Sequence, residues 1–523
     1  MKFSLLLKTA GIDPIHCTLT QGAEGNDPDI QSVHYRSQSV EPGGLFVAIA
    51  GHAADGHDFI ENALFRGAVA VIAQQPVKTD VPWAQVTDSR NALAKISACF
   101  YGAPSDALVL IGITGTNGKT TVTYIMESIL AKAGKASGVI GTINYRYAGK
   151  CIDAPVTTPE SLDLQRILAE MRANGITHVA MEASSHGIDL SRVAACRLDV
   201  AAFTNLTQDH LDYHGTLANY WACKKRLFTE LLEEGPKKDR AVAVINCDNA
   251  HGRELIGLLT GRTPARKVIS YGSEETCSIR PVDCIRDGSG IRGGIHTPAG
   301  RFSFRSSLVG RYNLENILCA VGISLALNLP LSAIREGIDA LKQVPGRLAP
   351  VENKTGRFVF VDYAHTPDAL ENVLDALNEL KTGRLICVFG CGGDRDRKKR
   401  PMMGKIAAER ADLVVVTSDN PRTEAPDQIV AAIVSGISPV TARRFNVAQI
   451  LGGSREKGIV VETDRKAAIG LGLMAADSGD MVLIAGKGHE TYQILGTQKV
   501  AFDDREVASA VLRKLEQHSD GQA

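Results

Sequence analysis

Residues 107–134 read ALVLIGITGTNGKTTVTYIMESILAKAG, and this stretch decides the fold. Ala107 to Ile113 is an apolar run of strand length, with β-branched Val109, Ile111 and Ile113. Thr114 to Thr120 is a glycine-rich turn that ends in Gly118-Lys119-Thr120. Beyond it Val122, Ile125, Met126, Ile129, Leu130 and Ala133 fall at helical spacing, and Gly134 stands where a C-terminal cap belongs. Strand, glycine-rich loop and helix form a phosphate cradle, because loop N–H groups and a helix N-terminus then face the anion. Lys119 has the reach for terminal phosphates, and the Thr120 hydroxyl is a Mg²⁺ ligand type. The common phosphate loop carries a glycine five residues before its second one; here that position is Ile113.

Working outward, 523 residues exceed one ordinary core, so several domains are expected. Lys plus Arg and Asp plus Glu balance at 58 each, which gives no reason to expect a nucleic-acid or anionic-membrane partner. The first residues, MKFSLLLKTAGIDP, have too short an apolar core for a signal peptide and no small-residue cleavage site. No run approaches membrane-spanning length, so no membrane insertion is expected. The eleven cysteines are scattered; only Cys387 and Cys391 are close, with no second pair to complete a zinc site. Free thiols in a reducing cytoplasm are the expectation.

The chain reads as α/β throughout, in three domains. In residues 1–103, Leu45 to Ile49 and Ala68 to Ile72 are strand candidates, and Phe59, Ala63 and Leu64 fit a helix face. This predicts a small N-terminal α/β domain, closed by a linker at Gly102-Ala103-Pro104-Ser105. Residues 104–344 add strand candidates at Val139–Ile143, His178–Glu182, Asp199–Thr204 and Ala241–Ile245, with helical patterns between several of them. That alternation predicts a mainly parallel sheet in a phosphate-loop ATPase-like domain, with ligands at the strands' carboxyl ends. Pro345-Gly346 breaks the pattern. Residues 345–523 alternate again, with strands at Arg357–Val361, Leu385–Phe389, Leu413–Thr417 and Met481–Ala485. Helices are expected over Pro367–Leu380 and Asp504–Leu515, giving a Rossmann-like sheet. Gly390-Cys391-Gly392-Gly393 lacks the full dinucleotide fingerprint.

Three polar groups fall near predicted strand ends: Thr120, Glu182 and His210. A hydroxyl and one carboxylate suit Mg²⁺, which keeps several waters; a histidine is a less usual ligand. In Tyr220 to Leu232 the apolar helix face holds Tyr220, Leu227, Phe228 and Leu231, and Lys224 falls in its middle. Such a lysine either snorkels to water or sits desolvated with a lowered pKa, available as a nucleophile.

Thr114-Gly115-Thr116-Asn117-Gly118-Lys119-Thr120 resembles the variant phosphate loop of the Mur ligase family, which folylpolyglutamate synthetases share. The likeness extends over nearly the whole chain. Glu182-Ala183-Ser184-Ser185-His186 and Asn205 to Gly215 look like two further motifs of that family. The resemblance implies that Gly115, Thr116, Asn117, Gly118, Lys119, Thr120 and Thr121 bind ATP. It implies that Thr120, Glu182 and His210 hold Mg²⁺, and that Lys224 reacts with CO₂ to become N6-carboxylysine, an oxygen-rich ligand. Lys119, Glu182, His210 and Lys224 are then the catalytic set. Asn313 in Gly310 to Ile317, Arg347, and Asp362 and His365 in Asp362 to Ala369 match further ATP positions.

Ser37 to Ala48 resembles the family's N-terminal segment that holds a UDP substrate. The family's Asp-Ser-Arg is here Arg36-Ser37-Gln38, so Ser37 stays and both charges are lost. His52 matches a nucleotide-contacting position. Thr157, Thr158, Ser184 and Arg192 match positions for a muramoyl-dipeptide, with Thr158 also expected to cap a helix. Leu190 replaces an expected polar residue. Asp419-Asn420-Pro421-Arg422 resembles the mark of members that take meso-diaminopimelate, where a guanidinium grips the distal carboxylate. Arg395, Gly486 and Glu490 match other amino-acid-binding positions.

The resemblance implies a cytoplasmic, monomeric enzyme of peptidoglycan precursor synthesis with small-molecule substrates: ATP, UDP-MurNAc-L-Ala-D-Glu and meso-diaminopimelate. It implies amide formation through an acyl phosphate, with the last domain closing over ATP. Two other readings stay open. One is a paralogous ligase acting on a different carboxylate, against which Asp419 to Arg422 argues; the other is a nucleotide-binding regulatory protein of the same fold, against which Lys119, Glu182, His210 and Lys224 argue.

Overall fold

The strand Val109–Thr114 lies inside an eight-stranded sheet, and its position there explains the site. The sheet order is Val268–Tyr271, Val242–Asn246, Val200–Phe203, Val109–Thr114, His178–Glu182, Ser137–Ile140, Asn144–Tyr147 and Lys150–Asp153. The first six strands run parallel and the last two are added antiparallel. Successive strands are laid down first on one side of Val109–Thr114 and then on the other, so its carboxyl end is a topological switch point. Val200–Phe203 and Val242–Asn246 are buried along their whole length, as covered parallel strands require. The structure, a computed structural model, describes residues 1–19, 27–51, 54–438, 440 and 443–520.

The N-terminal sheet has five strands in the order His16–Cys17, Trp83–Gln85, Ala68–Ala73, Gly44–Val47 and Ser32–His34. All pairs but the first are parallel. Its core takes in Leu162 from the helix Ser161–Ala173, and Arg90 pairs with Glu160 at 3.0 Å. The C-terminal sheet has seven strands: Ala349–Pro350, Phe358–Asp362, Met481–Ala485, Leu385–Phe389, Leu413–Val416, Gly458–Val461 and Arg444–Phe445. Apart from the first pair it is parallel. The architecture is therefore three-domain α/β, with a phosphate-loop sheet in the middle and a Rossmann-like sheet at the end. By contact density the chain forms two compact units. One is Met1–Arg280 with Thr297–Ala299 and Leu318–Gly337; the other is Pro281–His296, Gly300–Ile317 and Ile338–Ala523.

Several expectations need correction. Ala107 belongs to a short helix, Pro104–Ala107, that starts inside the supposed linker, so the strand begins only at Val109. Pro104 supplies the fixed φ suited to a first helical turn, and Ala103 before it is left-handed at φ 45°. The cysteines are not all free: Cys247 and Cys277 form a disulfide. Cys247 follows the strand Val242–Asn246, and tertiary folding brings Cys277 to it across 30 residues. Strands at Arg280–Asp287, Gly290–Thr297 and Gly300–Ser306, and a hairpin of Tyr492–Leu495 with Gln498–Ala501, were not expected. Among the described residues no helix is long and apolar enough to cross a membrane.

Candidate active site

Register places the first group of residues. Ile113 pairs with Glu182 on one side and Ala202 on the other, so the phosphate loop, Glu182 to His186 and Thr204 to His210 leave one sheet edge together. Ile113 is a buried strand residue, and the turn starts at Gly115 instead, with φ 143°. A side chain at Gly115 would collide with the Thr204 hydroxyl, so glycine is needed there for both reasons. Gly118, at φ 89°, turns the chain into the helix Lys119–Lys132. The loop is held from the neighbouring strand end. Thr116 N donates to Asn205 O, Asn117 N to Asn205 Oδ1 at 2.9 Å, and the Thr204 hydroxyl to Asn117 O at 2.6 Å.

Lys119 Nζ folds back to Gly115 O at 2.9 Å and Thr116 O at 2.7 Å. Lys224 does not snorkel. It is 1% exposed on the helix Leu217–Thr229, and its Nζ donates to the same Gly115 carbonyl at 2.9 Å. The Tyr220 ring lies 4.3 Å below it. Burial, then the charge of Lys119, pushes the Lys224 amine well below its ordinary pKa. Glu182 is buried, with its two oxygens taking Thr142 N at 2.9 Å and the Thr142 hydroxyl at 3.0 Å. Thr120 is buried at the loop's end. His210 has φ 52° and packs edge-on to His186 at 4.9 Å. His186 is pushed down to about 4, first by burial and then by His210.

Thr157, Thr158, Ser184 and Arg192 gather beside Glu182. Thr157 meets the Thr142 hydroxyl at 3.1 Å, and the Thr158 hydroxyl donates to Glu182 O at 2.8 Å and lies 3.0 Å from Ser184 Oγ. Arg192 donates to Thr158 O at 3.0 Å. Thr158 is not a helix cap: Glu160 caps Ser161–Ala173, and Ser184 caps Ser185–Asp189 by accepting from Gly187 N. Ser37 is buried in the turn Ser37–Ser39 of the N-terminal sheet region, next to exposed Arg36. His52 lies outside the described residues.

The second group sits on the C-terminal sheet, where Asp362, Ala485 and Phe389 are level across three strands. Asp362 is tied to backbone, accepting from Leu348 N at 2.6 Å and Ala364 N at 2.8 Å, and burial raises its pKa. His365 lies against Tyr363, which also has Arg347 5.4 Å from its ring centre. Asn313 donates to Val309 O at 2.8 Å and accepts from Asn316. Asp419 and Asn420 are buried, Pro421 follows them, and Arg422 takes φ 52° while donating to Gly393 O at 2.8 Å. Gly486, at φ 116°, lies against Asp419; Asn420 donates to Glu490 at 3.0 Å; Arg395 is exposed. Sequence reasoning missed Thr142, Asn205 as the loop's anchor, and Lys487. Asn205 opens a stretch already singled out and Lys487 adjoins Gly486; Thr142 was expected inside a strand Val139–Ile143, but that strand is Ser137–Ile140, and the fold brings Thr142 beyond its end to Glu182.

Fold and site define a three-domain α/β protein built round a phosphate-loop nucleotide site. Three family models match: the Mur ligase family catalytic domain over residues 29–101, the Mur ligase middle domain over 113–324, and the Mur ligase glutamate ligase domain over 346–488. The chain belongs to the Mur ligase family. It is 47% identical to the UDP-N-acetylmuramoyl-L-alanyl-D-glutamate–2,6-diaminopimelate ligase of Geobacter metallireducens, over 94% of this chain and 96% of that one. It is also 47% identical to the ligase of the same name from Geobacter sulfurreducens, over 93% and 95%. A solved structure of a ligase so named superposes with a TM-score of 0.68 at 32% identity, covering 93% of this chain and 95% of the other.

Proposed function

We propose that this chain is an ATP-dependent ligase that joins meso-2,6-diaminopimelate to the D-Glu side-chain carboxylate of UDP-MurNAc-L-Ala-D-Glu, a step of peptidoglycan precursor synthesis. The observation that carries the reading is the meeting of two lysines, Lys119 and Lys224, on the single carbonyl of Gly115. Gathering two amines at a phosphate loop makes sense where polyphosphate and carboxylate charge must be brought together. The names of the relatives supply the substrates. The domain limits we assign are 1–103, 104–344 and 345–523.

Gly115 to Thr121 cradle the phosphates, and Lys119 neutralises the phosphoryl group in flight. Asn313, Arg347, Asp362 and His365 are assigned to the nucleotide. Ser37, Thr157, Thr158, Ser184 and Arg192 orient the UDP-linked dipeptide. The D-Glu carboxylate oxygen attacks the γ-phosphorus, the bond to ADP breaks, and an acyl phosphate forms. The diaminopimelate amine, placed by Arg395, Asp419 to Arg422, Gly486 and Glu490, attacks the acyl carbon; phosphate leaves and the amine loses its proton. Catalysis is positioning and charge neutralisation.

The donor set of a buried hydroxyl, a buried carboxylate and an imidazole fits Mg²⁺, and Thr120, Glu182 and His210 would hold it. When bound it supplies charge neutralisation on the phosphate oxygens. Lys224, buried with a lowered pKa, adds to CO₂ as the neutral amine, releasing one proton and leaving a carbamate that gives the site two more oxygens. The experiment is direct. Purified protein, ATP, Mg²⁺ and UDP-MurNAc-L-Ala-D-Glu are offered each candidate amino acid, following phosphate release and product mass. Product only with diaminopimelate supports the reading; product with another acceptor, or none, overturns it.

A further inference from the structure

Lys487 is among the largest side chains with no exposed surface in the molecule, and an ammonium at 0% exposure needs a reason. Its Nζ reaches three acceptors at once: Asn420 Oδ1 at 3.0 Å, Glu490 Oε2 at 3.2 Å and Asp419 Oδ1 at 3.4 Å. All three residues belong to the pocket assigned above to the incoming amino acid. We propose that Lys487 is a positioning residue for that amino acid: it fixes the pocket's polarity and sets its charge to accept one ammonium. The proposal rests on the reading of Asp419 to Arg422 and Glu490 as the amino-acid site.

Polarity comes first. Asn420 Oδ1 faces two donors, Lys487 Nζ and Ile494 N at 2.9 Å, so that end of the amide must be the oxygen. The Nδ2 end is thereby turned to Glu490 Oε2 at 3.0 Å. Glu490 Oε2 takes both of its donors from within the pocket wall, and among the described residues no partner meets Oε1 or Asp419 Oδ2. Those two oxygens are the ones left for a ligand's N–H groups. Remove the lysine and Asn420 Oδ1 keeps Ile494 N as its one donor, while Glu490 Oε2 loses the ammonium that shares it with Asn420.

Charge follows. Asp419 and Glu490 are two carboxylates held close to one lysine, so the trio carries one net negative charge. A single ammonium balances it, while Arg422 stands ready for a carboxylate. Without Lys487 two carboxylates would face the ligand with no ammonium between them. The residues beside Lys487 also bond to the hairpin Tyr492–Ala501. Asn420 receives Ile494 N, Asp419 O receives Gln493 Nε2 at 2.6 Å, and Arg422 N donates to Ile494 O at 3.1 Å. Arg422 makes its bond from a left-handed conformation at φ 52°.

Two variants test it, Lys487→Met and Lys487→Gln, the second keeping a donor for Asn420 but no charge. Initial rates are measured against ATP and against diaminopimelate separately, with melting temperature alongside. The expected result is a KM for diaminopimelate raised at least about 30-fold, less in Gln than in Met, with the ATP KM within about twofold. An unchanged diaminopimelate KM in either folded variant overturns the proposal. So does a fall in kcat and rise in both KM values that tracks a loss of melting temperature, the signature of a structural lysine only. If Met does not fold, the Gln variant decides. Arg422→Ala, run beside them, separates the two claims. If it leaves diaminopimelate kinetics intact, the site reading fails; if it does not and the Lys487 variants do, only the present proposal fails.

Discussion

The two sheet edges that carry the site residues are built by different means. At the central edge the proposed phosphate surface is mostly backbone. Gly115 and Gly118 turn the loop, Asn205 and Thr204 pin it, and the amines of Lys119 and Lys224 rest on carbonyls. At the C-terminal edge it is side-chain charge on side-chain charge: Lys487 with Asp419 and Glu490, and behind them Arg465 with Asp504, both fully buried. Arg465 also donates to Ser418 O and Ala485 O, the carbonyls just before Asp419 and Gly486. A phosphate is common to every nucleotide, so a generic backbone cradle serves it. An amino acid must be told from its relatives, and paired buried charges discriminate because leaving one unpaired is costly.

The largest effect should come from removing the lysine of the phosphate loop itself. Lys119→Ala is expected to lower kcat by about 10³- to 10⁵-fold, the scale set by loss of a cation from a phosphoryl-transfer site. Thermal stability should hardly change, since the loop carbonyls that Lys119 meets belong to a turn pinned independently by Thr204 and Asn205. Single-turnover phosphate release is the measurement, and turnover within tenfold of wild type would remove the phosphate-loop assignment.

Next in size is Arg422→Ala. Breaking a buried charge pair costs about 3–5 kcal/mol, or two to four orders of magnitude in kcat/KM for diaminopimelate. Arg422 is half-buried, so the lower end is expected. The loss should fall on diaminopimelate capture with the ATP KM unchanged, and lysine need not become a substrate. Equal losses for both substrates would mean that Arg422 holds the loop rather than the ligand.

How much was legible follows from the same contrast. The cradle is contiguous in sequence, so strand, turn and helix from Val109 to Lys132 could be read from residue order alone, and His178–Glu182 and Met481–Ala485 emerge with the bounds expected. Lys224 was legible as a lysine on an apolar face, though whether it snorkelled was not. The charge network was not legible from spacing, because Asp419, Lys487 and Asp504 come together only through strand order. Resemblance pointed to Asp419 to Arg422 and passed over Lys487, one residue from Gly486. The hairpin Tyr492–Ala501 escaped because its strands are half-buried or exposed and show no clean alternation. The disulfide escaped because Cys247 and Cys277 are separated by 30 residues.

The smallest effect probes whether the C-terminal edge resists protons as well as it sorts charges. His489 lies against Tyr363, its Nδ1 is buried with no partner among the described residues, and burial first, then Arg347, Arg505 and His365, press its pKa down to about 4. In the unfolded chain the same imidazole titrates near 6.5. Between those values the unfolded state takes up a proton that the native state refuses, so the linkage slope is positive and stability falls as pH falls. The contribution is intact above about pH 6.5, lost progressively down to about 4, and flat below. After allowance for solvent screening its size is about 1–2 kcal/mol. His489→Gln cannot titrate, so its melting temperature should fall less than that of wild type between pH 7 and pH 4.5. Parallel acid limbs for the two proteins would mean that His489 accepts its proton in the folded state. The contrast between the two edges would then have to rest on Lys487 and Arg465 alone.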